Sequence, residues 1–221
     1  MADYYTTDEQ QVERLRKWWK EYGWATTLGV VIAIVIVVGW QMFRRHELAK
    51  AQQASLVYAT MMSADYAQQT DVASQAADIL KKKFSGTSYA DLANLWSAQN
   101  AVSKQQYPAA IQSLEAVRLH GHMTTLRQIA AIREAQIDLQ LKKPAQAITR
   151  LSTVYDKAYQ PQIDEVIGDA YLMQTKTEAA RTAYENALAG FTKLHLSSSL
   201  LEMKLANLPA TTAQTTKGEK E

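Results

Sequence analysis

The sequence predicts an all-α fold, with a single N-terminal transmembrane helix followed by a domain of stacked helix pairs. Three observations predict it. Tyr22 to Phe43 contains no charged residue. The whole chain of 221 residues carries only 8 glycines and 4 prolines, so few residues break helices. Beyond the apolar run, a small residue followed by a helical apolar pattern returns at intervals suited to a pair of helices.

The apolar run, YGWATTLGVVIAIVIVVGWQMF, sets the N-terminal architecture. A helix rises ~1.5 Å per residue, so about 20 apolar residues match the ~30 Å hydrocarbon core of a bilayer. Valine and isoleucine would favour a strand in water, but a lone strand leaves its backbone unpaired in lipid. Trp24 and Trp40 stand near the two ends, where indole rings settle at the interface. Arg44-Arg45-His46-Glu47 follows the run, and no small-residue cleavage motif closes it. This pattern fits a permanent signal anchor rather than a removed leader.

Ahead of the run, Val12, Leu15, Trp18 and Trp19 share one helical face among charges. The segment reads either as an amphipathic helix on the membrane surface or as the solvated first turns of the span. Arg14, Arg16, Lys17 and Lys20 precede the run, and Arg44, Arg45 and Lys50 follow it. The excess leans towards a cytoplasmic N-terminus. Within the span, Ala25, Gly29 and Ala33 form a small-xxx-small stripe. Such a stripe lets another helix approach closely, and it also arises by chance in spans of this composition.

After Arg45 the helix is expected to continue through HELAKAQQASLVYATMMSA, which holds neither glycine nor proline. Three segments then align: YPAAIQSLEAV from Tyr107, PAQAITRLSTV from Pro144 and TEAARTAYENAL from Thr177. Their small residues are Ala110, Ala147 and Ala180, spaced by 37 and 33. Larger residues follow four positions later at Leu114, Leu151 and Tyr184, then Val117, Val154 and Ala187. Gly168, Ala135 and Ala98 supply the small position in the preceding helices. Two helices can pack closely only where small residues meet bulky ones. The period matches the ~34 residues of a tetratricopeptide-like α-solenoid.

A weaker upstream copy places Ala76 and Leu80 in a helix from Asp71 to Phe84. Breaks are expected at Phe84 to Ser88, at His120-Gly121-His122 and at Tyr159-Gln160-Pro161. A last helix near Ser198 to Asn207 caps the stack, and ATTAQTTKGEKE reads as a polar tail. The domain plan is therefore 1–21, an N-terminal cytoplasmic segment; 22–43, the span; 44–208, the repeats; and 209–221, a disordered tail.

Composition argues against several function classes. Residues 44–221 hold 20 Lys and Arg against 17 Asp and Glu, too balanced for a nucleic-acid binder. Cysteine is absent, which removes disulfides and thiolate chemistry. No phosphate loop, nucleophile elbow or zincin motif occurs. His120 and His122 read as metal ligands or, more simply, as a polar turn. Asp164, Glu165 and Asp169 read as an acid–base pair or as a solvated or partner-facing helix face. No catalytic residue, cofactor or metal is expected, and the protein reads as a non-enzyme.

In this repeat type the first helix of each pair lines the concave side. Placed on that pattern, Leu95, Gln99, Ile132, Gln136, Glu165, Asp169 and Met173 face inward and form a candidate protein-binding surface. The alternative for Leu95 and Ile132 is packing between neighbouring repeats.

QVERLRKWWKEYGW before the span, GWQMFRRHELAKAQQASLVY after it, ARTAYENAL and MKLANL together resemble the YfgM-like family of ancillary SecYEG translocon subunits from Gram-negative inner membranes. The resemblance covers about residues 8–208. It implies an inner-membrane anchor, N-terminus inside, with periplasmic repeats. It also implies association with the SecYEG translocon and with a membrane-anchored periplasmic chaperone of the peptidyl-prolyl isomerase type. The expected partners are thus these proteins and the lipid bilayer, with no nucleic acid and with a homo-oligomer left open. The expected function is that of a translocon accessory protein assisting secreted-protein traffic. The alternative is a self-associating envelope scaffold that recruits other periplasmic machinery.

Overall fold

The computed structural model describes residues 5–154 and 156–209, with side chains from residue 12 onward. The expected tail beyond Pro209 lies outside the described residues. Every regular element described is helical, as the composition predicts. The chain divides into two compact units, Met1–Gln52 and Gln53–Glu221.

Helix α1 runs from Tyr5 to Tyr66 without interruption. In the first unit it carries the apolar run, exposed apart from Gly23 and Thr26. It is long and apolar enough to cross a membrane. The two threonine hydroxyls near the start of the apolar run, those of Thr26 and Thr27, are satisfied within the helix. Thr26 Oγ1 donates to the Tyr22 carbonyl at 3.0 Å, and Thr27 Oγ1 to the Gly23 carbonyl at 2.9 Å. Trp18 stacks on Tyr22 with centroids 6.3 Å apart, and the Arg44 guanidinium lies 5.6 Å from the Trp40 ring centre. Residues 12–21 are the exposed first turns of this same helix.

The second unit takes the end of α1 and adds α2 (Thr70–Lys83), α3 (Ser88–Ser103), α4 (Tyr107–His120), α5 (Thr124–Gln140), α6 (Pro144–Leu151), α7 (Gln160–Met173), α8 (Thr177–Lys193) and α9 (Ser199–Ala206). A single 3₁₀ turn, Lys157–Tyr159, precedes α7. From α2 onward each helix packs on the next, and α5 also meets α7.

The repeats are written most plainly in the turns. Gln68, Gln105, Lys142 and Thr175 all adopt φ of 58–60°, the left-handed conformation. Each follows a first helix and precedes a second. In each turn the next residue donates its N–H back to a carbonyl five positions earlier: Gln69 to Ala64, Gln106 to Ala101, Lys143 to Asp138 and Lys176 to Tyr171, at 2.8–2.9 Å. This is the Schellman stop, built without glycine. The four turns are 37, 37 and 33 residues apart and define four helix pairs.

Directly after these turns, Ala73, Ala110, Ala147 and Ala180 are fully buried. The upstream copy is therefore present, but Ala73, Ala77 and Leu80 set its register rather than Ala76. Leu114, Leu151, Tyr184, Val117 and Ala187 are buried as the pattern requires. Val154 departs from it. Helix α6 stops at Leu151, because the Ser152 and Thr153 hydroxyls bond back to the Thr149 and Arg150 carbonyls and tighten the chain into turns. Val154 still packs, half-buried, onto the cluster formed by Ile132, Ala147, Leu151 and Ile163. The last helix starts where Ser198 Oγ accepts from the Leu201 N–H, and it buries Leu201 against Tyr184 and Ala187.

Candidate protein-binding surface

The repeat period brings Gln99, Gln136 and Asp169 to one register position on α3, α5 and α7. Two depressions run along these helices. The first, about 510 Å³, lies over α3, α4 and α5, with Gln99 and Gln136 on its walls and Val102, Leu114 and Ile137 in its apolar part. The second, about 460 Å³, is lined from α5 and α7 by Gln136, Asp169 and Met173. Gln136 and Gln140 line both. Four of the seven residues expected on the concave face are thus brought together.

The other three are not. Leu95 and Ile132 retain only 7% and 8% of their exposure and pack among Ala98, Leu114 and Ala130, and among Ala135, Leu151 and Val166, respectively. These two leucine-sized side chains are inter-helix packing, the second of the two roles open to them. Glu165 faces the cap helix: its Oε1 accepts from Lys204 Nζ at 2.9 Å. Asp169 is shared, accepting from Lys204 at 2.8 Å and from the Tyr184 hydroxyl at 2.6 Å. Lys204 also lies 5.6 Å from the centre of the Tyr184 ring. Burial raises the Tyr184 hydroxyl pKa, and its bond to Asp169 raises it further. Burial would lower the Lys204 pKa, but its bonds to Asp169 and Glu165 outweigh that and hold it above the usual value. Asp164, the third acid of this helix, accepts from Gln160 Nε2 at 2.7 Å, and burial raises its pKa.

Arg133, Gln140 and Lys142 also line the depressions. Only register could have revealed them, since each is an ordinary polar residue in the sequence. Behind them lies a second feature missing from the sequence reading. Glu134 and Asp138 on α5 are 0% and 1% exposed. Arg118 from α4 donates to Glu134 through Nε at 3.0 Å, and Arg150 from α6 bridges Glu134 and Asp138. Burial raises the Glu134 pKa, and the two guanidinium groups act against it. The signal was present: two acids four apart, Glu134 and Asp138, interrupt the apolar face of AAIREAQIDL. The cluster ties three consecutive helices together and fixes how α5 presents Arg133 and Gln136.

The chain matches the model of the tetratricopeptide repeat-like domain over residues 16–210. It belongs to that family. Relatives align with it over more than nine-tenths of its length. A Haemophilus influenzae protein named ancillary SecYEG translocon subunit is 27% identical over 206 residues, spanning 93% of this chain and 99% of the relative. Proteins of the same name from Escherichia coli and Aggregatibacter actinomycetemcomitans are 26% and 28% identical, over 92–93% of this chain and 98–99% of theirs. No solved structure gives a significant match.

In this tetratricopeptide repeat-like chain His122 serves the turn after α4. The His122 N–H donates to the buried Asp91 carboxylate at 2.7 Å, and His122 Nδ1 lies 3.1 Å from the same oxygen. Asp91 thereby secures the α4–α5 turn, in which His122 takes the polar-turn role. Among the described residues no group of three or more metal-ligating side chains gathers. In the span, Ala25, Gly29 and Ala33 are exposed, and a methyl placed on Gly29 would meet nothing within 4 Å.

Proposed function

We propose that the chain is a single-pass inner-membrane accessory subunit of the SecYEG translocon, with its N-terminus in the cytoplasm and its repeats in the periplasm. The observation that carries this reading is the match, over more than nine-tenths of the chain, to relatives named ancillary SecYEG translocon subunit, which takes in both the apolar helix and the repeats. The repeats present a groove to protein partners and assist the traffic of secreted chains. A membrane-anchored periplasmic chaperone of the peptidyl-prolyl isomerase type is a partner in this proposal. The span contributes through Ala25, Gly29 and Ala33, which offer close approach to a neighbouring helix. The arrangement is that of a binding module rather than an enzyme.

Gentle solubilisation and affinity capture test the reading. Channel subunits should be recovered with the tagged chain. Recovery of further copies of the chain alone would favour the self-associating scaffold instead.

A further inference from the structure

We infer that a small cavity between α4, α5 and the turn after α6 is a binding site for a phosphate group. It shares no lining residue with the depressions over α3, α5 and α7. The site stands whether or not the chain serves the translocon.

The cavity measures about 130 Å³ and is walled by Arg118, Arg127, Gln128, Ala131, Thr153 and Val154. Two polar atoms of this wall, Arg127 Nε and Gln128 Nε2, are buried without a hydrogen-bond partner. Both are donors. Buried donors are costly to leave without an acceptor, so a pair of them on one cavity marks the place of a guest. Gln128 is only 2% exposed. Its Oε1 accepts from the Asp156 N–H at 2.9 Å, which fixes the amide and leaves its NH₂ for the cavity. Arg127 is held as firmly. Its Nη2 donates to Thr124 Oγ1 at 3.0 Å. Its stem lies against Gly121, where a Cβ would come within 3.1 Å of Arg127 Cγ. The donors are therefore positioned before any guest arrives.

Charge sets the sign of the guest. Arg127 has no acidic partner among the described residues. The acids nearby are already answered. Glu134 is paired with Arg118 and Arg150, and Asp138 with Arg150. Glu115 on Arg118 is half-exposed, so solvent screens it. Asp156 gives its Oδ1 to the Ala158 N–H. Arg118 spends Nε and Nη2 on Glu134 and Glu115, which leaves Nη1 for the cavity. The Thr149 and Arg150 carbonyls at the end of α6 are taken by the Ser152 and Thr153 hydroxyls. A guest must bring acceptors and negative charge.

Size narrows the chemistry further. The cavity has the volume of about four water molecules. A tetrahedral phosphate fills such a space and offers oxygens to donors on two helices at once, whereas a flat carboxylate leaves part of it empty. Arginine forks also match phosphate geometry. A second depression, about 240 Å³, adjoins the cavity through Arg118 and Thr153 and adds Gln146, Thr149 and Arg150. Its polar lining suits the hydroxyl-bearing alcohol of a phosphate ester. Free phosphate and an ester thus share the inner site and differ only in their use of the outer one.

The test uses the full-length protein in maltoside micelles, free of phospholipid and titrated with inorganic phosphate at constant ionic strength. Phosphorus NMR line broadening should show saturable binding. Acetate and chloride should displace phosphate only at about tenfold higher concentration. Arg127→Met and Gln128→Glu should each weaken binding about tenfold or more. The second keeps an oxygen for the Asp156 N–H and sets a carboxylate in the cavity. Lys83→Met removes an exposed cation elsewhere and should change affinity less than about twofold. Glycerol phosphate separates the sources. Tighter binding than phosphate that Thr149→Val reduces marks an ester, and equal binding marks the free ion. Circular dichroism checks each fold. In the wild type, with no substitution needed, the Gln128 side-chain NH₂ resonance should shift with phosphate and not with acetate. Absence of saturable binding would leave water as the only guest and overturn the assignment. Acetate competing as well as phosphate, or binding indifferent to both Arg127→Met and Gln128→Glu, would overturn it too.

Discussion

Gly168 lies directly beneath the ring of Tyr184. A Cβ built on Gly168 would come within 2.4 Å of the ring carbons Cδ1 and Cε1. Tyr184 is fully buried, and its hydroxyl is anchored on Asp169, so the ring has no room to yield. Gly168→Ala should therefore destabilise the repeat domain by ~1–3 kcal/mol through overpacking. Chemical denaturation of the wild type and variant measures this, and an unchanged midpoint would show that the ring can move.

Lys204 ties the cap helix to the last repeat. Its side chain is about a quarter exposed, so solvent weakens its ion pairs. Lys204→Met should cost ~1–2 kcal/mol. Hydrogen exchange should rise first in α9 and then in α8, leaving α3 to α5 protected. Uniform deprotection would mean that the cap is not a separate element.

The pH dependence of this network has a definite sign. Both Lys204 and Tyr184 have pKa values raised above the ordinary 10.5 and 10.0. A raised pKa means that the folded state holds the proton more tightly, so this stabilisation is complete at neutral pH. It is lost as pH rises above about 10. Melting followed from pH 8 to 11 should show an alkaline decline that Tyr184→Phe with Lys204→Met largely removes. A decline of equal size in the double variant would place its origin elsewhere.

The buried ionic cluster predicts the largest single effect. Arg150→Met leaves Glu134 and Asp138 buried with only Arg118 to answer them. A loss of ~3–5 kcal/mol is expected, because an uncompensated buried charge costs more than the pair supplied. Urea denaturation reads it, and a loss under ~1 kcal/mol would show that water reaches the carboxylates.

The repeats were legible in the sequence because close helix packing demands small residues at fixed places. Ala110, Ala147 and Ala180 were found that way, and all are buried. The turns were not legible. Helical hairpins usually end on glycine, whereas here Gln68, Gln105, Lys142 and Thr175 take the left-handed conformation, so the strongest repeat marker carries no residue signature. The same blindness misplaced the upstream copy by three residues. The concave face was half legible. Register found Gln99 and Gln136, but Leu95 and Ile132 needed the depth of the packing, and Glu165 needed the cap helix that folds back onto it.

The most direct measurement is photo-crosslinking in living cells from Gly29 in the span and Gln136 in the groove. The proposed role predicts adducts with SecYEG subunits from the span, and with exported chains or a periplasmic chaperone from the groove. Adducts formed only with other copies of the chain from both positions would contradict it.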